Sequence, residues 1–506
     1  MYYSNAILTL VVTPLLSAPL IYLIGRLFMR TGRAGAASNA SQLASLLALA
    51  GTWKAYIDIV LQFNRSSATA LRYITGSVPL QVDGLSILLA GLALTLGTLV
   101  VIYSRMYMRN EDGEEKYYAM LVAMTGAMIG LACAADLFNL WVWFEVMALT
   151  SYLLVAFYRE QKASLEAGVK YLVQSAAGSS LVLLAIALVF METGTLDLYR
   201  IGASAVGTPL MLAAGALFVA GFGVKAALVP FHTWLPDAHA QAPSGISAML
   251  SGVVIEAGLV ALLRAISALM AVTLSWGVLL MIFGALNMLV GNLIALKQTQ
   301  VKRLLAFSSL SHVGYMVMGL GIALHAGTAA GATGGVFHLI NHGLMKGLAF
   351  LAVGALLYAL HIAKGSHNPL TISDLAGAAK RYPLATLALS IAVLGLGGLP
   401  PLAGFMSKWQ ILVAGVQANN RLIFYLVIFA ALNSVLSLGY YAPIVNAVYR
   451  QKPSAAVLNG SSLPLSMQVP MVLLLLAVVV LGLWPGLVQW LTDPAGNAIM
   501  ATFGGY

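Results

Sequence analysis

Residues 221–266 read GFGVKAALVPFHTWLPDAHAQAPSGISAMLSGVVIEAGLVALLRAI. Lys225 lies inside an apolar run, and Pro230 follows closely enough to break the helix that carries it. Asp237, His239 and Pro243 come next, and then a second apolar run holding Glu256 and Arg264. A helix that merely crosses a membrane avoids all of these. A charge at the bilayer centre costs about 2.5–3.5 kcal/mol on insertion scales. A broken helix at that depth is tolerated only where protein buries it or water lines it. The stretch therefore predicts an ion path through a membrane.

Composition agrees. The 506 residues are 60% hydrophobic and 8% charged, against roughly 25% charged in a soluble chain. At about 20 apolar residues per crossing, the chain holds about fourteen spans. They fall near 5–29, 38–63, 84–107, 117–135, 137–157, 166–190, 209–230, 244–268, 273–296, 302–323, 331–360, 384–414, 422–449 and 466–490. The expected fold is an all-α integral membrane protein with residues 1–506 as one polytopic domain. The start, MYYSNAILTLVV, lacks a basic n-region, so it reads as a retained first span.

The formal charge of +10 raises nucleic acid as a partner, but the cations are placed otherwise. With odd spans running inward, the inner loops hold Arg26, Arg30, Arg33, Arg105, Arg109, Lys116, Arg159, Lys162, Lys297, Lys302, Arg303, Lys364, Lys380, Arg381, Arg450 and Lys452. The outer loops hold Lys54, Arg65, Arg72, Arg200 and Arg421. That bias is the positive-inside pattern; it places both termini outside a cell (inner) membrane. The lone cysteine, Cys133, excludes an intrachain disulfide or a cysteine-ligated cluster. No phosphate-binding glycine loop is present.

Internal repetition is visible. The seventh span carries Lys225 beside Pro230. The twelfth carries Pro400 and Pro401 before Lys408, in GLGGLPPLAGFMSKWQIL. Five spans separate them, and an odd number makes the two units inverted, a known transporter plan. Residues 117–268 form the first expected repeat and 273–449 the second, with spans seven and twelve broken.

Other polar residues stand isolated in apolar helices. Glu145, in ADLFNLWVWFEVMALTSYLLVAF, is read as a partner of Lys225 at about 4–7 Å; a carboxylate bonded locally for packing is the alternative. Lys170 follows Glu166 by four residues and fits a local ion pair or a path position. His338, His342 and Lys346 share one helix face, which suits a proton relay better than a haem or metal site. His312, among Ser308, Ser309 and Ser311, is a relay or packing residue. Lys302 is a relay or topology charge, and Lys408 a path residue unless it snorkels to the interface. Left uncompensated, Glu145, Lys170, Lys225, Glu256, Lys346 and Lys408 would cost roughly 15–20 kcal/mol, more than a domain's net stability of about 5–15 kcal/mol. A hydrated polar line resolves this.

The motifs KAALVPFHTWLPDAHAQAP, KRLLAFSSLSHVGYM, FHLINHGLMKGLAFLAVGAL and GLPPLAGFMSKW resemble the antiporter-like subunits of complex I, of Mrp-type cation/proton antiporters and of membrane-bound hydrogenases. The resemblance runs from about 84 to 450. SGISAMLSGVVI and GFMSK are closer to the Mrp and hydrogenase branch. It implies fourteen helices, two inverted five-helix repeats and a central polar axis carrying protons, with Na+ as the alternative ion, driven by a partner redox arm. Glu145 and Lys225 then match the pair on helices five and seven, His338 and His342 the eleventh-helix relay with Lys346 extending it, and Lys408 the terminal lysine near the outer exit. Glu256 departs from the family, whose eighth helix usually carries Lys or His; it relays protons, favours a metal cation or disables the link, with Arg264 as a candidate partner. The resemblance implies no cofactor or metal in this chain and no catalytic residue. Fe–S clusters, flavin, nickel or quinone would belong to partner membrane and redox subunits. No long lateral C-terminal helix is expected. The competing readings are a stand-alone Na+/H+ antiporter subunit and a non-conducting scaffold.

Overall fold

A computed structural model describes residues 3–30, 34–66, 68–75, 78–109, 111–204, 206–270 and 275–504. Arg33, one of the inner-loop cations, lies outside the described residues. The chain runs α1 (Tyr3–Arg30), α2 (Ala34–Arg65), β1 (Ala70–Thr75), β2 (Val78–Asp83), α3 (Gly84–Tyr107), α4 (Glu114–Ala132), α5 (Leu137–Val155), α6 (Lys162–Thr193), α7 (Leu198–Ser204), α8 (Pro209–Lys225), α9 (Trp234–Gln241) and α10 (Ser244–Met249). A π turn (Leu250–Val254) joins α10 to α11 (Ile255–Ser267). Then come α12 (Trp276–Ala295), α13 (Val301–Ala326), α14 (Ala329–Leu360), α15 (Pro383–Gly397), α16 (Ala403–Gln417), α17 (Arg421–Arg450), α18 (Ala455–Leu458), α19 (Leu465–Leu483) and α20 (Gln489–Gly504).

Among the described residues, eleven helical stretches are long and apolar enough to cross a membrane. This is a multi-pass membrane protein. Two features correct the sequence reading. Residues 70–83 form an antiparallel hairpin, pairing Ala70 with Asp83 and Leu71 with Val82, so the fold is not purely helical. A further helix, α20, follows α19 and packs back on α3 and α14.

The hairpin has a purpose that local sequence did not show. It delivers Asp83 to the start of α3, where its carboxylate accepts from Ser86 N at 2.8 Å as a cap. The same carboxylate takes Arg264 in a two-pronged pair at 3.0 and 3.1 Å. Arg264 also donates to Ser86 Oγ and to the Ala132 carbonyl, tying α11 to α3 and α4. Arg264 is thus committed to Asp83 and does not hold Glu256. Both members are buried, so removing one would cost about 3–5 kcal/mol.

α10–α11 and α13 are buried all round, and α14 nearly so; they form the centre of the bundle. Close approach there needs glycine. A Cβ on Gly343 of α14 would lie 2.7 Å from the Gly252 carbonyl in the π turn. That contact sets the register in which the residues just beyond the π turn face α14.

Candidate ion-translocation axis

α8 stops at Lys225, before Pro230. The break spans residues 226–233, and Pro230 lies within it, past the helix end. Ala227 sits at φ +53°, a left-handed conformation that costs an L-residue about 1–2 kcal/mol. Asn287 of α12 supports it: its Nδ2 donates to the Ala227 carbonyl at 3.0 Å, and its Oδ1 accepts from Val229 N at 2.8 Å. Trp234 Nε1 donates to the Val224 carbonyl at 2.7 Å. Backbone groups freed by the break are satisfied by side chains, as burial requires.

Lys225 is fully buried. Its Nζ donates to Tyr171 Oη at 2.8 Å and Ser175 Oγ at 3.3 Å, both on α6. It also lies 4.3 Å from the Tyr171 ring centre, within cation–π range. Tyr171 stacks on Trp234 at 3.9 Å and meets Ser151 Oγ through its hydroxyl. Glu145 does not close an ion pair with Lys225. On α5 the adjacent Phe144 packs edge-on against Phe222, with its ring 5.8 Å from Lys225 Nζ. Glu145 lies within electrostatic reach of the lysine; its Oε1 is buried without a protein partner.

Gly258 abuts the Lys225 backbone, where a Cβ would come within 2.8 Å of the Lys225 carbonyl carbon. On the same helix, Glu256 Oε1 meets His342 Nδ1 at 2.8 Å, with both side chains fully buried. The His342 ring stacks against His312 at 5.3 Å. His312 Nδ1 meets His338 Nε2 at 3.0 Å, and His338 Nδ1 meets Ser407 Oγ at 2.9 Å. Lys346, one turn beyond His342, donates to the Leu305 carbonyl at 2.7 Å and to Ser308 Oγ. Each imidazole nitrogen in this line can donate or accept according to tautomer, but hydrogen bonds join only Glu256 to His342 and His312 to His338 and Ser407; between His342 and His312 the contact is a ring stack, and His342 Nε2 has no protein partner.

The second break follows. α15 ends at Gly397, Gly398 adopts φ +80°, and α16 begins at Ala403. Pro400 and Pro401 lie in the linker. Asn341 Nδ2 donates to the Ala403 carbonyl at 2.9 Å, fastening the new helix to α14. Lys408 does not snorkel. It is buried, donating to the Leu396 carbonyl at 2.9 Å and Ser434 Oγ at 3.0 Å, above the Tyr315 ring at 4.6 Å.

Beside α9, Lys170 pairs with Glu166 at 2.7 Å and with Asp237 at 3.1 Å. Asp237 also takes Arg303 at 2.5 Å. Lys302 is buried, its Nζ on the Ala242 carbonyl at 2.5 Å. In the loops, His367 lies 3.6 Å from Glu111. Burial lowers the His367 pKa and, with Asp112, raises that of Glu111, favouring the neutral form of each. Among the described residues no three His, Cys, Asp or Glu gather as a metal site.

Sequence reading missed Tyr171, Ser175, Asn287, Asn341, Ser407 and Ser434. One signal existed for Asn287 and Asn341: an amide inside an apolar helix is as anomalous as a lysine. The hydroxyl residues carry no such mark, because Ser and Tyr are common in helices of this kind.

Residues 134–437 match the sequence profile of the family described as "NADH:quinone oxidoreductase/Mrp antiporter, TM". Residues 69–118 match "NADH-Ubiquinone oxidoreductase (complex I), chain 5 N-terminus". The chain is 33% identical to F(420)H(2) dehydrogenase subunit N of Methanosarcina mazei, over 87% of this chain and 89% of that protein. It is 38% identical to hydrogenase-4 component B of Escherichia coli, over 65% of this chain and 50% of that one. A chain of the membrane-bound sulfane sulfur reductase, an archaeal respiratory membrane complex, superposes with a TM-score of 0.86 at 26% identity, covering 99% of both chains. With more than half its length inside one family profile, this chain belongs to the antiporter-like membrane subunits shared by NADH:quinone oxidoreductases and Mrp antiporters.

Proposed function

We propose that this chain is a proton-translocating subunit of a multi-subunit, redox-driven membrane complex. The observation that supports it best is the buried line Glu256–His342–His312–His338–Ser407, flanked by Lys225 and Lys408 at two helix breaks. A non-conducting scaffold has no need of such a line, because each buried polar group costs free energy unless bonded. Steps between groups that share no hydrogen bond, such as Lys225 to Glu256 and His342 to His312, would use internal water. Eleven apolar crossings, α4 and the two interrupted segments α8–α9 and α15–α16 would make fourteen crossings. We read α4–α11 and α12–α17 as the inverted repeats, with both termini outside. Electron carriers would reside in partner subunits.

The family profile also covers Mrp antiporters, so a cation/proton antiporter subunit is the second reading. The purified complex in proteoliposomes separates them. Proton movement that starts on adding an electron donor, with Fe–S or quinone-site chains co-purifying, supports the first reading. Movement driven by a Na+ gradient alone, with only small membrane chains co-purifying, replaces it with the second.

A further inference from the structure

His239 takes no part in the line above. It lies on α9, fully buried, and neither ring nitrogen has a protein hydrogen-bond partner. An imidazole cannot be free of polar demand: one nitrogen carries a proton and the other a lone pair. Leaving both unmet in a dry core would cost about 1–3 kcal/mol each. The ring is held flat on Phe350, 4.7 Å away and tilted by 10°. Phe350 is one helical turn beyond Lys346 on the same face of α14. On its other side, the backbone three residues past His239 holds Lys302, through the Ala242 carbonyl. His239 is thus linked to Lys302 through its own segment and to the turn beyond Lys346 through Phe350.

A crevice opens beside the segment that follows His239, without His239 itself in its walls. Tyr107, Tyr158, Ala240, Gln241, Lys302 and His367 are among its walls, and it holds about 30 Å³, room for one or two waters. Ala240, Gln241 and Ala242, immediately after His239, form one of its walls, so the His239 ring lies one residue behind the lining.

We propose that His239 is the inner-side entry group for protons reaching Lys346, fed by water in this crevice. This rests on the translocation reading. The ring takes one proton from inner-side water at one nitrogen and releases one from the other toward the Lys346 amine, so no net charge stays on the ring.

The test uses the whole complex in proteoliposomes. His239→Phe keeps a flat ring on Phe350 and removes the exchangeable nitrogens. The assembled variant should lose proton flux at least about tenfold. In a Cys133→Ala background, the Gln241→Cys thiol should react with a membrane-impermeant maleimide from the inner face. Wild-type flux in assembled His239→Phe, or a Gln241→Cys thiol not reached from the inner face, overturns the proposal. Should His239→Phe fail to assemble, Ala240→Leu, which narrows the crevice beside it, decides by the same flux criterion. Lys225→Ala in the same vesicles is the control. If it also keeps wild-type flux, the translocation reading itself has failed; if it alone loses flux, only the entry role of His239 has.

Discussion

At the α8–α9 break, Lys225 Nζ donates to two side-chain hydroxyls, Tyr171 and Ser175, supplied by another helix. At the α15–α16 break, Lys408 Nζ donates to the Leu396 carbonyl near the end of α15 and to Ser434. Both ammonium groups also face an aromatic ring at similar range, 4.3 Å for Tyr171 and 4.6 Å for Tyr315. The difference lies in the carbonyl. A hydroxyl can accept from or donate to a neighbour, whereas a carbonyl only accepts. Lys408 is therefore tied to the broken helix and supports it. The first break is stitched instead by Asn287 and Trp234, which leaves Lys225 free to move between partners. Transport and stability should separate at the first break and merge at the second.

Four experiments break or sharpen that comparison. Lys225→Ala should cut proton flux about a hundredfold or more while the complex still co-purifies; flux at the wild-type level would remove Lys225 from the path. Lys408→Met should lower stability by about 2 kcal/mol, because the Leu396 carbonyl loses its donor. Lys225→Met should lower it much less, since Tyr171 keeps Ser151. Equal drops in the unfolding midpoint of the two Met variants would erase the distinction drawn here. Glu256→Gln should slow flux about tenfold, because the amide holds the shape but exchanges no proton. Glu256→Lys should retain activity where a titratable group is all the position needs, and wild-type flux in the Gln variant would make Glu256 structural. The smallest effect is expected for Tyr171→Phe. It keeps the stack on Trp234 and loses one hydroxyl, for about 1 kcal/mol of stability and a flux loss smaller than that of Glu256→Gln. A larger flux loss would make the hydroxyl part of the path.

Sequence alone determined the membrane character, the family and the identity of the anomalous residues. The reason is energetic: Lys225, Glu256, Lys346 and Lys408 stand in apolar runs where a charge is expensive, so residue type and position mark them without coordinates. Tertiary structure decided who meets whom. Arg264 and Glu256 share one helix, yet Arg264 meets Asp83, 181 residues away, and Glu256 meets His342, 86 residues away. Lys225 Nζ meets Tyr171 and Ser175 of α6, which nothing in the local sequence marked. The first break begins at Lys225 and not at Pro230, because Asn287 from α12 accepts the chain's exit there. Burial cost depends on local chain composition and can be read along it. Pairing depends on which helix faces touch, and that follows from close contacts such as Gly252 against Gly343, which join distant parts of the chain.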